Sequence, residues 1–292
     1  MFNYEMTYTN NRNQTFTFGK TSGLYLDTSQ LFDYAWSIET AQHQIVSVQR
    51  EPREIPTALC FLAADKDKEN INEFDTIIDY DARIGKPGIL RFNGWEIHGL
   101  FIASEASDYE WKEGIMRRDM VFFTTDQDWT RKSTIHFRKQ ANVTDEGMGY
   151  PHDFPHDYAA RSVSASFVNP SPFPSEFVLR VYGPVANPYV VISGNVYQVN
   201  VHLAADEQLL IDSRDHTQVL KISPYGDKTN VFDAAVFGAP GSGSYIFERI
   251  KPGDNPITSS PGISFDLELY EGRSTPRWYE TRENTDLTIQ GT

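Results

Sequence analysis

Between residues 163 and 269 apolar side chains return at every second position, and no stretch returns at every third or fourth. Val163, Ala165 and Phe167 share one side; so do Phe177, Leu179 and Val181, and then Tyr197, Val199, Val201 and Leu203. Ile263, Phe265, Leu267 and Leu269 repeat the pattern, with Ser264, Asp266, Glu268 and Tyr270 between them. A period of two puts successive side chains on opposite faces, which is a strand with one buried face. Turn signals punctuate the pattern at Pro184, Ser193-Gly194-Asn195, Pro224-Tyr225-Gly226 and Lys251-Pro252-Gly253-Asp254. Many short antiparallel strands at this spacing predict a β-sandwich or jelly roll of ~130 residues.

The first half is mixed. Residues 14–26 alternate on both sides of a glycine-containing turn, which predicts a hairpin. Strands are predicted at 43–50, with Val46 and Val48 on one face, and at 55–63, apolar on both faces and therefore central. Residues 66–80 change period: Ile71, Phe74 and Ile78 fall at i, i+3 and i+7 beside Ile77, which predicts one amphipathic helix capped by Asp65 or Asp67. Its stop signal is Gly85-Lys86-Pro87-Gly88. Strands resume at 88–93, 95–104 and 115–124. Residues 125–157 are polar and end in two prolines, each followed by a His-Asp pair, and read as a stiff connector between two domains. The polar segment from Tyr279 reads as a loose tail.

Composition narrows the function. With Lys+Arg 26 and Asp+Glu 40, the net charge of −14 excludes a generic nucleic-acid binder, which needs clustered positive charge. The single cysteine, Cys60, permits no intramolecular disulfide and no Cys-based zinc site within one chain. The longest apolar run, 58–64, is far short of the ~20 residues of a spanning helix. The N-terminus has neither a basic start nor an apolar stretch, so no signal peptide is expected and the chain reads as made in a reducing cytoplasm.

Candidate chemistry is sparse. His152-Asp153 and His156-Asp157 place four N and O ligand types within six positions, but Pro155 prevents the helix that would converge them on a metal. Among the remaining histidines, His202 alternates with Gln198 and Asn200 opposite the apolar face and reads as a solvated strand residue. Gly19-Lys20-Thr21 fails as a phosphate loop, because Gln14 stands where the first glycine is needed. The glycine-rich 238–244 lacks a lysine and reads as a mobile hairpin loop. No Gly-x-Ser-x-Gly elbow is present, and Cys60 lies within an apolar strand, where cysteines are usually inert. Asp212, ending the strand Leu209-Leu210-Ile211, reads as a turn-forming Asx residue. No catalytic residue, cofactor site or metal site is assigned.

Several stretches together resemble one family. Tyr150-Pro151-His152-Asp153-Phe154-Pro155-His156-Asp157-Tyr158 resembles the repeated Tyr-Pro-x-Asp-Tyr-Pro linker of the distal tail proteins of Gram-positive siphophages and related tail-like particles. Tyr182–Pro188, with Asn187-Pro188, resembles that family's Gly-x-x-x-Asn-Pro turn, and Glu207–Ser213, with Asp212, its Glu-x-Leu-x-Ile-Asp strand. Ile250–Asn255 resembles its Ile-x-x-Gly-x-Asn turn. Arg273-Ser274-Thr275-Pro276-Arg277-Trp278 resembles its Arg-Ser-x-Pro-x-Trp ending, with Gly272 as an extra residue before it. In the first half, Arg50-Glu51-Pro52-Arg53, the helix, Lys86–Leu90 and Phe122-Phe123 ahead of Trp129 are similar to the N-terminal pattern.

The resemblance implies a mainly β protein. Residues 1–140 would be a small β-barrel-like belt domain with one helix and a projecting hairpin, and 141–157 a Pro-rich linker. Residues 158–280 would be a galectin-like β-sandwich, followed by a polar tail at 281–292. It further implies a hexameric ring at the tip of a phage tail, made in the host bacterial cytoplasm and joining the tail tube protein to tail-associated and receptor-binding components. No enzyme activity, no cofactor, no membrane insertion and no specific nucleic-acid binding belong to that picture, although DNA could pass through the lumen. Two alternatives stand beside it. One is a carbohydrate-binding β-sandwich, which could hold sugars through an exposed tryptophan or tyrosine with asparagine, histidine or arginine nearby; an exposed tryptophan beside polar groups in the second domain would favour it, and Trp95, Trp111, Trp129 and Trp278 are the tryptophans considered. The other is a glycoside hydrolase, which needs two carboxylates ~5–10 Å apart in a groove.

Overall fold

In the computed structural model, residues 5–27, 29–62, 65–110, 115–138, 165–277 and 286–290 are described. The chain is mainly β, with one α-helix among these residues, and divides into two units. One unit contains the residues up to Arg131 and a return segment that starts at Gly272; the other runs from Lys132 to Glu271 and takes up 286–290.

The first unit contains β1 (Met6–Thr9), β2 (Thr15–Phe18), β3 (Leu24–Leu26), β4 (Ser37–Ala41), β5 (Gln44–Gln49), β6 (Arg53–Leu62), α1 (Asp65–Ile84), β7 (Gly88–Phe92), β8 (Trp95–Glu110), β9 (Ile115–Thr124) and the start of β10 (Trp129–Arg138). Its key strand is β8. The first five residues of β8 pair with β7, and from Leu100 onward β8 pairs with β9. One strand thereby serves two sheets, β2-β1-β7-β8 and β3-β6-β9-β8. β6 lies between β3 and β9, the central place its two apolar faces predict.

The change of partner falls after Gly99, where a Cβ would overlap the Phe122 ring and the Phe123 carbonyl. Gly99→Ala should therefore destabilise the first unit by about 1–3 kcal/mol, read as a lower urea midpoint at unchanged slope. Helix α1 sends Phe74, Ile77 and Ile78 into a core with Met6, Phe16, Phe18, Trp95, Phe101 and Trp129. It ends where Gly85 takes a φ of +65°, the left-handed conformation that closes helices. Buried Asp81 ties the helix to β1 by accepting from the Tyr8 hydroxyl at 2.8 Å and from the Asn11 amide at 3.0 Å. Burial, then the bond to Asp81, pushes the Tyr8 phenol far up.

The second unit contains the rest of β10, then β11 (Ala165–Asn169), β12 (Glu176–Tyr182), β13 (Val185–Ala186), β14 (Tyr189–Ile192), β15 (Asn195–Gln198), β16 (His202–Leu203), β17 (Gln208–Asp212), β18 (Val219–Ile222), β19 (Lys228–Asn230), β20 (Gly253–Ser259), β21 (Ser264–Arg273) and β22 (Asp286–Gln290). One sheet runs β19-β18-β17-β12-β21-β10, and β22 lies against β10; the other runs β11-β20-β14-β15. Phe177, Leu179, Leu209, Phe265 and Leu267 of the first sheet and Phe167, Val190, Ile192, Tyr197 and Ile257 of the second form one core. This is two sheets packed face to face, as the alternation predicts.

Four expectations need correction. β2 and β3 meet at a single bridge, Gly19 to Leu24; β2 pairs with β1 and β3 with β6, because each buries its apolar face against a different sheet. Residues 129–138 are a strand rather than a connector, since Trp129, Ile135 and Phe137 are buried. Residues 286–290 of the supposed loose tail are strand β22, parallel to β10. The 238–244 loop joins no strand pair; it is closed by Gly238 N–H to Ser244 O (3.0 Å) and pinned by Gly241 N–H to the Glu248 carboxylate (2.8 Å). The linker residues Tyr150, Pro151, Asp153, Pro155, Asp157 and Tyr158, both flanking histidines and Trp278 lie outside the described residues.

Candidate assembly surfaces

Among the described residues, β4 and β5 pair with each other and with no other strand. Their turn places Gln42 and His43 at positive φ, the arrangement that matches the twist of a two-residue hairpin. Every side chain of both strands is exposed except the half-buried Ser47. Ile38 is 55%, Ile45 65%, Val46 64% and Val48 50% exposed. The strand predicted over 43–50 is present, but no core covers the face that carries Val46 and Val48. An isolated two-stranded hairpin is marginal in water, and clustered exposed aliphatics mark an interaction surface.

At the hairpin's root, Trp36 precedes β4, while Arg50 and Arg53 follow β5. The Arg50 guanidinium lies 4.6 Å from the Trp36 ring centre and forms an ion pair with Asp128. Arg53 donates from Nη1 to the Asp33 carbonyl at 2.6 Å. In the sequence Arg50 and Arg53 stand out only as part of the Arg-Glu-Pro-Arg stretch, and the burial of Arg50 has no local signal there.

A groove of about 740 Å³ runs between α1 and strands β8 and β9, with Ile102 exposed along it. Asp75 and Asp79, one helical turn apart, are its carboxylates, and each is engaged: Asp75 with Arg118, Asp79 with Arg83.

The sequence-flagged residues of the second half serve turns and packing. Asn187 holds a φ of +49°, which asparagine tolerates better than most residues, and its N–H donates to Val201 O at 2.8 Å. The Pro188 carbonyl accepts from the Val199 N–H at 3.2 Å. Asp212 accepts from the Arg214 backbone N–H at 3.0 Å and from its side chain at 2.9 and 2.7 Å, the Asx role expected of it. Arg273 lies 5.8 Å from the Trp95 ring centre, and Pro276 is buried. His202 is exposed. These residues do not converge on a common site.

One polar cluster was not anticipated. Asp266 on β21 accepts from His136 Nδ1 (2.7 Å), Arg138 and the Tyr182 hydroxyl (2.6 Å). The alternation placed Asp266 on the outward face but could not name partners 84 to 130 residues away. Burial works to raise its pKa, but the hydrogen bonds from Arg138, Tyr182 and His136 outweigh it and hold the carboxyl below its ordinary range. Burial and the bond to Asp266 push Tyr182 up to about 12. A depressed folded-state pKa stabilises above the unfolded value and is lost as pH falls through the folded one. The second unit should therefore weaken below about pH 4, and Asp266→Asn should cost about 1–2 kcal/mol at neutral pH with a flatter acid limb, measured by urea melts across pH.

No protein-family model matches the sequence, and no curated protein matches it. Solved structures do match in shape. The crystal structure of SPP1 Dit (gp 19.1), described as a paradigm of the hub adsorption apparatus in Gram-positive infecting phages, is 10% identical with a TM-score of 0.57. The match covers 93% of this chain and 99% of that one. A chain of the phage P2 baseplate in its activated conformation with Ca is 11% identical with a TM-score of 0.53, over 94% of this chain and 100% of that one. The corresponding Sr structure gives 12% identity and a TM-score of 0.51 over the same shares. This chain therefore has the fold of the SPP1 Dit hub protein and of the phage P2 baseplate chain.

Proposed function

We propose that this chain is a structural hub of a phage or phage-like tail tip, a homo-oligomer that joins the tail tube to tail-associated and receptor-binding components. The observation that carries this reading is the β4–β5 hairpin, two strands with four exposed aliphatic side chains and no partner strand among the described residues. The shared fold with hub and baseplate chains, spanning nearly the whole of each, supports it. Identical chains joined head to tail close into a ring when the rotation permits, and six copies is the number we propose. The second unit would act as a galectin-like socket for a neighbouring component. A ring of six would carry a formal charge of about −84, which repels rather than retains DNA in transit. Bond-making chemistry and cofactors have no part in this mechanism.

The sugar-binding alternative calls for an exposed tryptophan or tyrosine beside polar groups in residues 158–280; Tyr225 is 93% exposed there, and Trp278 lies outside the described residues. Light scattering with negative-stain imaging over a concentration series tests the hub reading. Rings of six are expected as concentration rises. A chain that stays monomeric throughout, and does not close into rings when mixed with tail tube protein, overturns it.

A further inference from the structure

Among the described residues, seven buried side-chain nitrogen or oxygen atoms have neither a hydrogen-bond nor an ion-pair partner, and four of them belong to Arg50 and Arg53. Buried polar groups are normally paired, so such a concentration calls for a cause. Arg50 is 5% exposed. Asp128 faces one end of its guanidinium, while Nε and Nη1 meet no acceptor. On Arg53, Nη1 reaches the Asp33 carbonyl, while Nε and Nη2 meet none. Burial, and then the neighbouring Arg53, push the Arg50 guanidinium down; burial does the same to Arg53, with Asp33 opposing it. Two adjacent guanidinium forks with unused N–H groups match the two oxygens of a carboxylate.

We propose that Arg50 and Arg53, at the root of the β4–β5 hairpin, form a receptor for a carboxylate side chain of a second copy of this chain. This rests on the assembly reading above. With 40 acidic residues against 26 basic ones, a face of another copy presents carboxylates more often than cations. The pair also adjoins the exposed hairpin, so a copy seated on the hairpin comes within reach of it. Trp36, stacked on Arg50 and 45% exposed, is the side chain that moves aside as the acceptor enters.

Sedimentation velocity on the full chain, compared with Arg50→Gln/Arg53→Gln, tests this. The double variant should keep the wild-type circular dichroism and lose about a hundredfold in self-association, since truncating one side of a buried charge pair acts mainly on dissociation. The single Arg53→Gln change, at a less buried position, should lose tenfold or more and keeps the test open if the double variant fails to fold. Inorganic phosphate is the second arm: it should compete with association and shift the tryptophan emission of the wild type, but not that of the double variant or of Trp36→Phe. Association unchanged by the arginine substitutions overturns the proposal. So does arginine-dependent phosphate binding that leaves association untouched, which would make the pair a site for a free oxyanion. A wild type that never associates brings down the assembly reading itself, and this proposal with it.

Discussion

Replacing Ile38, Ile45, Val46 and Val48 together with serine should abolish self-association at concentrations where the wild type forms rings, while the melting profile of the isolated chain barely moves. These side chains already face water in the single chain, so the substitution removes almost no folded-state burial. Burying a large aliphatic side chain is worth about 1.5–3 kcal/mol, and partial burial of Ile38, Val46 and Val48, which share one face, supplies about 3 kcal/mol on docking, or roughly a hundredfold in affinity, before any contribution from Ile45 on the other face. Sedimentation velocity and calorimetry on the same samples separate the two effects. Association at wild-type strength would place the contact elsewhere, and a large drop in melting temperature would mean that the hairpin packs on its own chain.

Phe74→Ala should produce the largest loss of stability in the first unit, about 3–5 kcal/mol. The Phe74 ring is fully buried, with centroids of Phe16, Phe18 and Phe101 at 5.2, 5.3 and 5.5 Å. Backbone on several sides restrains this cluster, so the cavity cannot collapse cheaply. Because the second unit has a separate core, its unfolding transition should stay where it is. Phe177→Ala, at a fully buried position 5.1 Å from the Tyr197 ring, should lower the other transition by a similar amount. Differential scanning calorimetry distinguishes the cases: one cooperative transition moved equally by both substitutions would refute the division into two independently packed units.

The elements that could be read from the sequence were those whose side chains repeat with a strict local period. The helix over 65–84 and the strands at 53–62, 88–92 and 264–273 all carry a buried face at spacing 3.6 or 2, and burial is what the period records. Errors arose where a segment's partner is remote. β2 and β3 look like a hairpin because a turn lies between them, yet their pairing was decided by β1 and β6. Trp129 to Arg138 looks polar because Ile135 and Phe137 are its only late apolar residues, and they are buried in a core supplied by far later strands.

The sequence alone determined that this chain is mainly β, with one helix and a second half built of alternating strands, because side-chain periodicity is a local property of the backbone. It also determined the turn role of Asp212, whose partner Arg214 lies two residues away. Tertiary structure alone decided that the apolar face of β4–β5 is left uncovered, that Arg50 is buried beside the half-buried Arg53, and that Asp266 collects His136, Arg138 and Tyr182. Each of these depends on which distant surfaces meet. An aliphatic residue destined for the core and one destined for a partner have the same local pattern, and only the packed chain tells them apart.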